Sequence, residues 1–304
     1  MIKRAKILIV MAVVGAFMPL AAAAQAVSFL NISPDPRTQA MGGASVAAEA
    51  SAFSIYNNPA AIALSEDTFA LAASYNMWQV VDASSDLLSF ATYYKLGDKF
   101  GVGASYRGFA QPSYDIYDDQ GNHSGEFSPS DSSFDVALSC AFTDSFAVGV
   151  TFKSISSTLG ESISGSSFGV DLGVTYILDR ATLAASYSNM GSISYDDNSY
   201  SLPSIFKVGG SYRALDEGEH SCSVNVQANM LTSESAFGLG VGGEYGFNKM
   251  IFARLGYYLS GDDSVMPSYI SLGLGVEFSK ISLDCSYLID DVISPLNLSL
   301  GYRF

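Results

Sequence analysis

From Phe69 to the last residue, large apolar side chains alternate with small or polar ones at period two. Phe69, Leu71, Ala73, Tyr75 and Met77 are separated by Ala70, Ala72, Ser74 and Asn76. The same pattern predicts strands near residues 100–107, 134–142, 168–176, 237–245, 270–278 and 296–304. It recurs less cleanly near 87–96, 145–156, 181–190, 203–214, 220–231, 250–259 and 280–289. Such alternation marks a strand with two unlike faces. A soluble sandwich alternates too, but it turns the apolar face inward and rarely sustains ten-residue strands over such a length. A transmembrane barrel needs strands of about 9–11 residues with the apolar face in lipid. Aromatics recur near strand ends, at Tyr75, Trp78, Tyr94, Phe142, Tyr176, Tyr187, Tyr245, Tyr257 and Phe304, where two interfacial girdles would fall. The expected fold is all-β: a transmembrane β-barrel of about 14 antiparallel strands.

Residues 29–64 break this pattern. They are rich in Ala and Ser, carry Gly42 and Gly43, and end on Asn57-Asn58-Pro59-Ala60. Small residues allow close backbone approach, and Pro34 and Pro36 remove amide donors. Ala40 to Ala52 is expected to form one short helix weakened by its glycines. The reading is a small N-terminal hatch, or plug, inside the barrel; an arm lying on a soluble β-domain is the alternative. The expected division is a signal peptide at 1–24, the hatch at 25–66 and the barrel at 67–304.

The leader reading rests on Lys3, Arg4 and Lys6, the apolar run to Leu20, and the Ala22-Ala23-Ala24 cleavage site. Its removal takes away three basic residues and no acid, moving the formal charge from −15 to −18. A chain so acidic makes a poor nucleic-acid binder. Cys140, Cys222 and Cys285 are an odd, widely spaced set on the apolar face and read as small lipid-facing residues. His123 and His220 read as isolated, so no metal site is expected.

The remaining charges are sorted by position. Lys99, Arg180, Lys249 and Lys280 fall at short turns, and no basic residue falls in a stretch read as a long loop. Long loops are expected after alternate strands, beginning with the first, and to hold acids such as Asp82, Asp86, Asp131 and Glu161. Arg107, Lys153, Lys207, Arg213, Arg254 and Arg303 share the polar strand face with Asp135, Asp171, Glu244, Glu277 and Asp284. Unpaired buried charge is very costly, so these groups are expected to be paired or hydrated in a lumen. An even strand number puts both barrel ends on one side, and short turns with outer loops give that side as periplasmic, with the N- and C-termini there.

The run Phe29-Leu30-Asn31-Ile32, then Asp35-Pro36-Arg37-Thr38-Gln39-Ala40-Met41-Gly42-Gly43-Ala44, then Asn58-Pro59-Ala60-Ala61, resembles the start of PorV/PorQ family proteins. Those proteins belong to the wider FadL-like outer-membrane superfamily. The closing Gly301-Tyr302-Arg303-Phe304 is similar to a barrel-assembly signal. The resemblance implies a Bacteroidota-type outer membrane and Asp35, Arg37, Met41, Gly42, Gly43, Asn58, Pro59 and Ala60 as the hatch motif. It also implies a role in type IX secretion, with a translocon or a cargo domain as protein partner. The alternative is a FadL-like channel for hydrophobic or small amphipathic molecules. Outer-membrane lipid is the remaining expected partner.

Other constellations carry less. Asp115-Ile-Tyr-Asp118-Asp119-Gln-Gly121-Asn122 lacks the ligand spacing of a calcium loop. Gly238-Leu-Gly240-Val-Gly242-Gly243 is followed by no helix signal, so it reads as inner-face glycine making room for the hatch. No nucleophile, base and orienting group can be assembled, and neither an enzyme nor a cofactor is expected.

Overall fold

The alternation resolves into a closed barrel of 14 antiparallel strands with two small two-stranded sheets above it. The structure is a computed structural model describing residues 26–80, 83–118, 120–232, 236–261, 266–292 and 294–304. The expected leader lies outside the described residues. The first strands are β1 (Phe69–Val80), β2 (Ala83–Leu96) and β3 (Phe100–Ala110), then a hairpin separate from the barrel sheet, β4 (Tyr114–Tyr117) and β5 (His123–Phe127). Next come β6 (Ser130–Thr143), β7 (Phe146–Gly160), β8 (Ile163–Leu178) and β9 (Ala181–Met190), then a second hairpin, β10 (Ser192–Tyr195) and β11 (Asn198–Ser201). The barrel is completed by β12 (Ile205–Glu217), β13 (His220–Leu231), β14 (Ala236–Phe247), β15 (Ile251–Ser260), β16 (Tyr269–Phe278), β17 (Ile281–Ile289) and β18 (Leu296–Arg303). β18 closes on β1, with Tyr75 opposite Leu298. No helix among the described residues is long and apolar enough to cross a membrane.

The faces follow from period two. Val136, Leu138, Leu255, Leu274 and Leu283 point outward and are exposed, while Ser139, Thr151, Asp135 and Asn225 point inward and are buried. A face this apolar is stable only against lipid. Cys140, Cys222 and Cys285 are free thiols.

At one end the connections are tight, as at 144–145, 179–180, 218–219 and 279–280. Asp179, Asn248, Lys249 and Ser279 take positive φ there, as hairpin turns that match strand twist require. At the other end two connections differ from expectation. β7 to β8 is also bridged by only two residues, and β1 and β2 stay paired as far as Val80 and Ala83, because the strands run further than their apolar residues suggest; Asp82 lies outside the described residues. Serines on both faces at Ser84-Ser85, Ser156-Ser157 and Ser166-Ser167 hide the period without weakening the ladder. Asp86 is therefore a strand residue opposite Met77, accepting a 2.6 Å hydrogen bond from the Tyr75 hydroxyl. Asp131 likewise lies in β6, buried opposite Phe109 and Ser157.

Candidate functional site

Residues 26–66 run through the barrel interior. Short helical turns at Ser28–Asn31, Pro36–Gln39, Ser54–Asn57 and Pro59–Leu64 are joined by irregular chain. No helix covers Ala40 to Ala52: Gly42 and Gly43 sit at φ +65° and +70°, which an α-helix cannot include. A Cβ on Gly42 would lie 2.4 Å from the Tyr257 carbonyl oxygen and 2.6 Å from that of Val241. The facing strands are equally bare: a Cβ on Gly242 would lie 2.4 Å from Met41 Cα. Glycine on both sides lets the loop touch β14 and β15 backbone to backbone.

Inner-face amides and hydroxyls then satisfy the loop. Gln227 Oε1 accepts from the amides of Ser45 (2.9 Å) and Val46 (2.7 Å), and its Nε2 donates to Gly43 O at 3.1 Å. The Ser271 hydroxyl accepts from Gly42 N and donates to Ala40 O. Asn58 Oδ1 caps the Pro59–Leu64 turn by accepting from Ala60 N at 3.1 Å, while Nδ2 reaches Val46 O and Thr175 Oγ1 at 3.0 Å. Pro59 and Ala60 press on Gly149, and Asn58 on Gly173. Pro59 lies in the hatch motif but does not mark the exit into β1. The exit is instead at Ser65, held by the Tyr93 hydroxyl (2.6 Å) and by the Lys95 ammonium on its carbonyl.

Asp35 caps the Pro36–Gln39 turn, accepting from Arg37 N at 3.0 Å and the Thr38 hydroxyl at 2.9 Å. Burial pushes the Asp35 carboxyl up, against the pull of the Thr38 hydroxyl. Arg37 forks onto Glu244 with bonds of 2.9 and 2.8 Å and reaches Glu49 at 3.0 Å. Glu244 also takes Arg254 Nε at 2.6 Å, and Arg254 continues to Asp284 at 2.6 Å. A chain of charge-assisted bonds thus ties the segment to β14, β15 and β17. Arg303 pairs with Glu277 and Asp67 at the tight-turn end. Arg213 is exposed at the mouth, 3.7 Å from Asp216.

A second group lies toward the other end. Lys153 meets Asp171 at 2.8 Å and Asn189 at 2.6 Å. Asp135 accepts from the Ser105 and Ser133 hydroxyls and lies 3.8 Å from Arg107. Arg107 is 1% exposed, donates to Leu30 O at 3.2 Å, and lies 4.4 Å from the Tyr56 ring centroid. Lys207 makes no ion pair among the described residues; Asp171, Lys153 and Arg107 set its field.

Sequence reasoning missed Glu49, Gln227, Asn225 and Ser271. Glu49 carried a signal, being the only carboxylate between residues 36 and 65. The others look like any polar inner-face residue until the loop is in place.

The segment leaves cavities at both ends. One of about 380 Å³ opens at the tight-turn end around Arg37, Glu49, Glu244, Arg254, Glu277 and Arg303. Another of about 490 Å³ lies at the opposite end, lined by Phe29, Ile32, Trp78, Leu231, Tyr269 and Leu288, with Arg107 and Lys207 also on its wall. Ala26 N donates to Ser201 O of β11 at that same end, whereas Phe304 lies at the tight-turn end beside Phe69. Residue 26 and the last residue are therefore at opposite ends, unlike the two ends of the barrel itself. His123 is less isolated than its sequence position suggests: on the β4–β5 hairpin it stands with Asp115 and Glu126, exposed, with its Nε2 3.2 Å from Asp115.

A family profile described as Type IX secretion system protein PorV matches residues 20–236. No curated protein matches the chain. Among solved structures, the Ralstonia pickettii toluene transporter TbuX superposes with a TM-score of 0.63 at 16% identity, over 90% of this chain and 98% of that one. The P. putida toluene transporter TodX gives 0.62 at 13%, over 88% and 97%. A Pseudomonas aeruginosa FadL homologue gives 0.56 at 13%, over 95% and 99%. At these identities the likeness is one of fold.

Proposed function

We propose that this chain, which belongs to the PorV family of type IX secretion system proteins, works as a plugged accessory barrel that engages a secretion partner. It is an outer-membrane β-barrel, and the barrels it resembles are transporters rather than enzymes. The observation that carries the reading is the filled lumen. Residues 36–49 are bonded across it to β13, β14 and β16, with Arg37 bridging Glu49 and Glu244. A barrel so filled serves as a rigid scaffold whose loop end is offered to a protein. In this reading residues 25–66 form the hatch, the tight turns face the periplasm and the acidic loops face outward. Deleting the protein from its host should leave cargo of the secretion system in the periplasm instead of on the surface. Unchanged surface display would overturn the assignment.

One observation favours a second reading, a channel for small amphipathic molecules. The 490 Å³ cavity is mostly apolar yet has Lys207, without an ion pair among the described residues, on its wall. Its neighbours in fold include proteins named as toluene transporters. Uptake of a labelled amphiphile that falls on Lys207→Met substitution, with surface cargo unaffected, would select this reading.

A further inference from the structure

A second cavity at the long-loop end has the opposite polarity. It holds about 550 Å³, and its wall includes Trp78, Phe109, Gln111, Asp131, Tyr195 and Tyr200. No lysine, arginine or histidine is among the described residues that line it. Asp131 is 6% exposed, and its Oδ1 has no hydrogen-bond partner among the described residues. Its Oδ2 is reached by Gln111 Nε2 at 3.4 Å, and the Ser157 hydroxyl stands within reach of the carboxyl, but neither carries a charge. The Tyr195 hydroxyl is buried beside Ser157 and faces no cationic group among the described residues that line the cavity. The Tyr195 and Tyr200 rings stand 5.9 Å apart at 59°, and Phe109 is held by stacking on Phe29 at 5.9 Å.

A buried carboxylate without a counter-charge is costly. Aromatic faces carry negative potential and attract a cation that has little hydration to lose. A hard metal ion would need several oxygen ligands in a closed shell, whereas this wall offers one carboxylate and four rings. The volume falls in the range that takes small organic ligands. We propose that this cavity binds an organic ammonium ion, with Asp131 as counter-ion and Trp78, Phe109, Tyr195 and Tyr200 as its aromatic wall. The site is independent of the plugged-barrel reading, since it uses neither the Arg37 bridge nor a protein partner.

Trp78 is the only tryptophan in the chain, so its fluorescence reports on the wall. The full-length protein in detergent would be titrated with choline and with its neutral isostere 3,3-dimethylbutan-1-ol. Choline should give a saturable change, and the alcohol should bind about tenfold or more weakly. Asp131→Asn should abolish choline's advantage and leave the alcohol unaffected. Tyr200→Ala should weaken choline by roughly tenfold; it serves as the second variant should Asp131→Asn fail to fold, with heat-modifiable migration as the folding check. Ser157 Oγ is buried between Asp131 and Tyr195. If small hydroxyl rotations of Ser157 and Tyr195 were all that Asp131 needed, charge would not be discriminated. Equal binding of both probes, or no change with choline in fluorescence and in the width of its methyl NMR signal, would overturn the proposal.

Discussion

Arg37 and Asp35 sit two residues apart and do different work. Arg37 pairs with Glu244 on the barrel wall and with Glu49 in its own segment, whereas Asp35 holds the turn that aims it. Removing one partner of a buried pair costs roughly 3–5 kcal/mol. Arg37 keeps 24% side-chain exposure, so Arg37→Ala is expected at the low end, about 3 kcal/mol, read as a lower urea midpoint and faster hydrogen exchange over 36–49. Asp35→Ala should be comparable and not milder, because three donors lose a buried acceptor: Arg37 N, the Thr38 hydroxyl and Asn57 Nδ2. The Arg37 guanidinium holds the Glu49 carboxyl below its ordinary value of 4.5. A depressed acid stabilises the folded state above its unfolded value, and that contribution is lost as pH falls through the folded one. Exchange protection near Arg37 should therefore hold above pH 4.5 and fall below it, a loss absent in Glu49→Gln. The sequence made Arg37 legible as a lone cation facing inward acids. It did not reveal which acids, because that depends on strand register: Asp135 and Asp171 point inward too, yet belong to Arg107 and Lys153.

Strands were legible where apolar and small residues alternate, and illegible where serine occupies both faces, as in β2, β7 and β8 at the end away from the tight turns. The helix expected over Ala40 to Ala52 fails for the opposite reason: alanine favours a helix, but tertiary contact with β14 and β15 demands the left-handed glycines. Two substitutions test these elements. Leu274 faces outward at 60% exposure, so Leu274→Arg should cost about 2–4 kcal/mol near the midplane. Ser282, half-buried on the wall of the tight-turn cavity, should accept Arg at much smaller cost. Ser271 is not a fair inward control, since it is fully buried and bonded to Gly42 and Ala40. Equal folding yields in detergent for Leu274→Arg and Ser282→Arg would contradict the faces. Gly242→Ala should cost about 1–3 kcal/mol, because its Cβ lands on the Met41 backbone, read as a lower urea midpoint.

At the scale of the molecule, the sorting of charge and the filling of the lumen make separate claims. If the acidic loops face outward, a tag near Gly121 should be labelled on intact cells and one near Asp98 should not; reversed labelling would invert the orientation without touching the fold. The hatch claim is tested by conductance. Residues 26–66 fill the barrel through small side chains pressed on glycine, so little free volume is left beside them: Pro59 and Ala60 meet Gly149, Asn58 meets Gly173, and Met41 meets Gly242. The cavities lie at the two ends and are separated by this packing, with Arg37, Glu244 and Arg254 across one side and Arg107, Asp135, Lys153 and Asp171 across the other. Full-length protein in a planar bilayer should therefore be nearly silent. Deleting residues 29–64 should expose the inner face of a 14-stranded barrel and let ions pass. Glu244 would then be hydrated and no longer paired with Arg37, so the open channel should select by charge in a way that Glu244→Gln shifts. Arg37→Ala should fall between the two, flickering as the released loop lifts from Gln227. Equal conductance of the full-length and deleted forms would show that the segment does not seal the lumen, and the scaffold reading would then lose its physical basis.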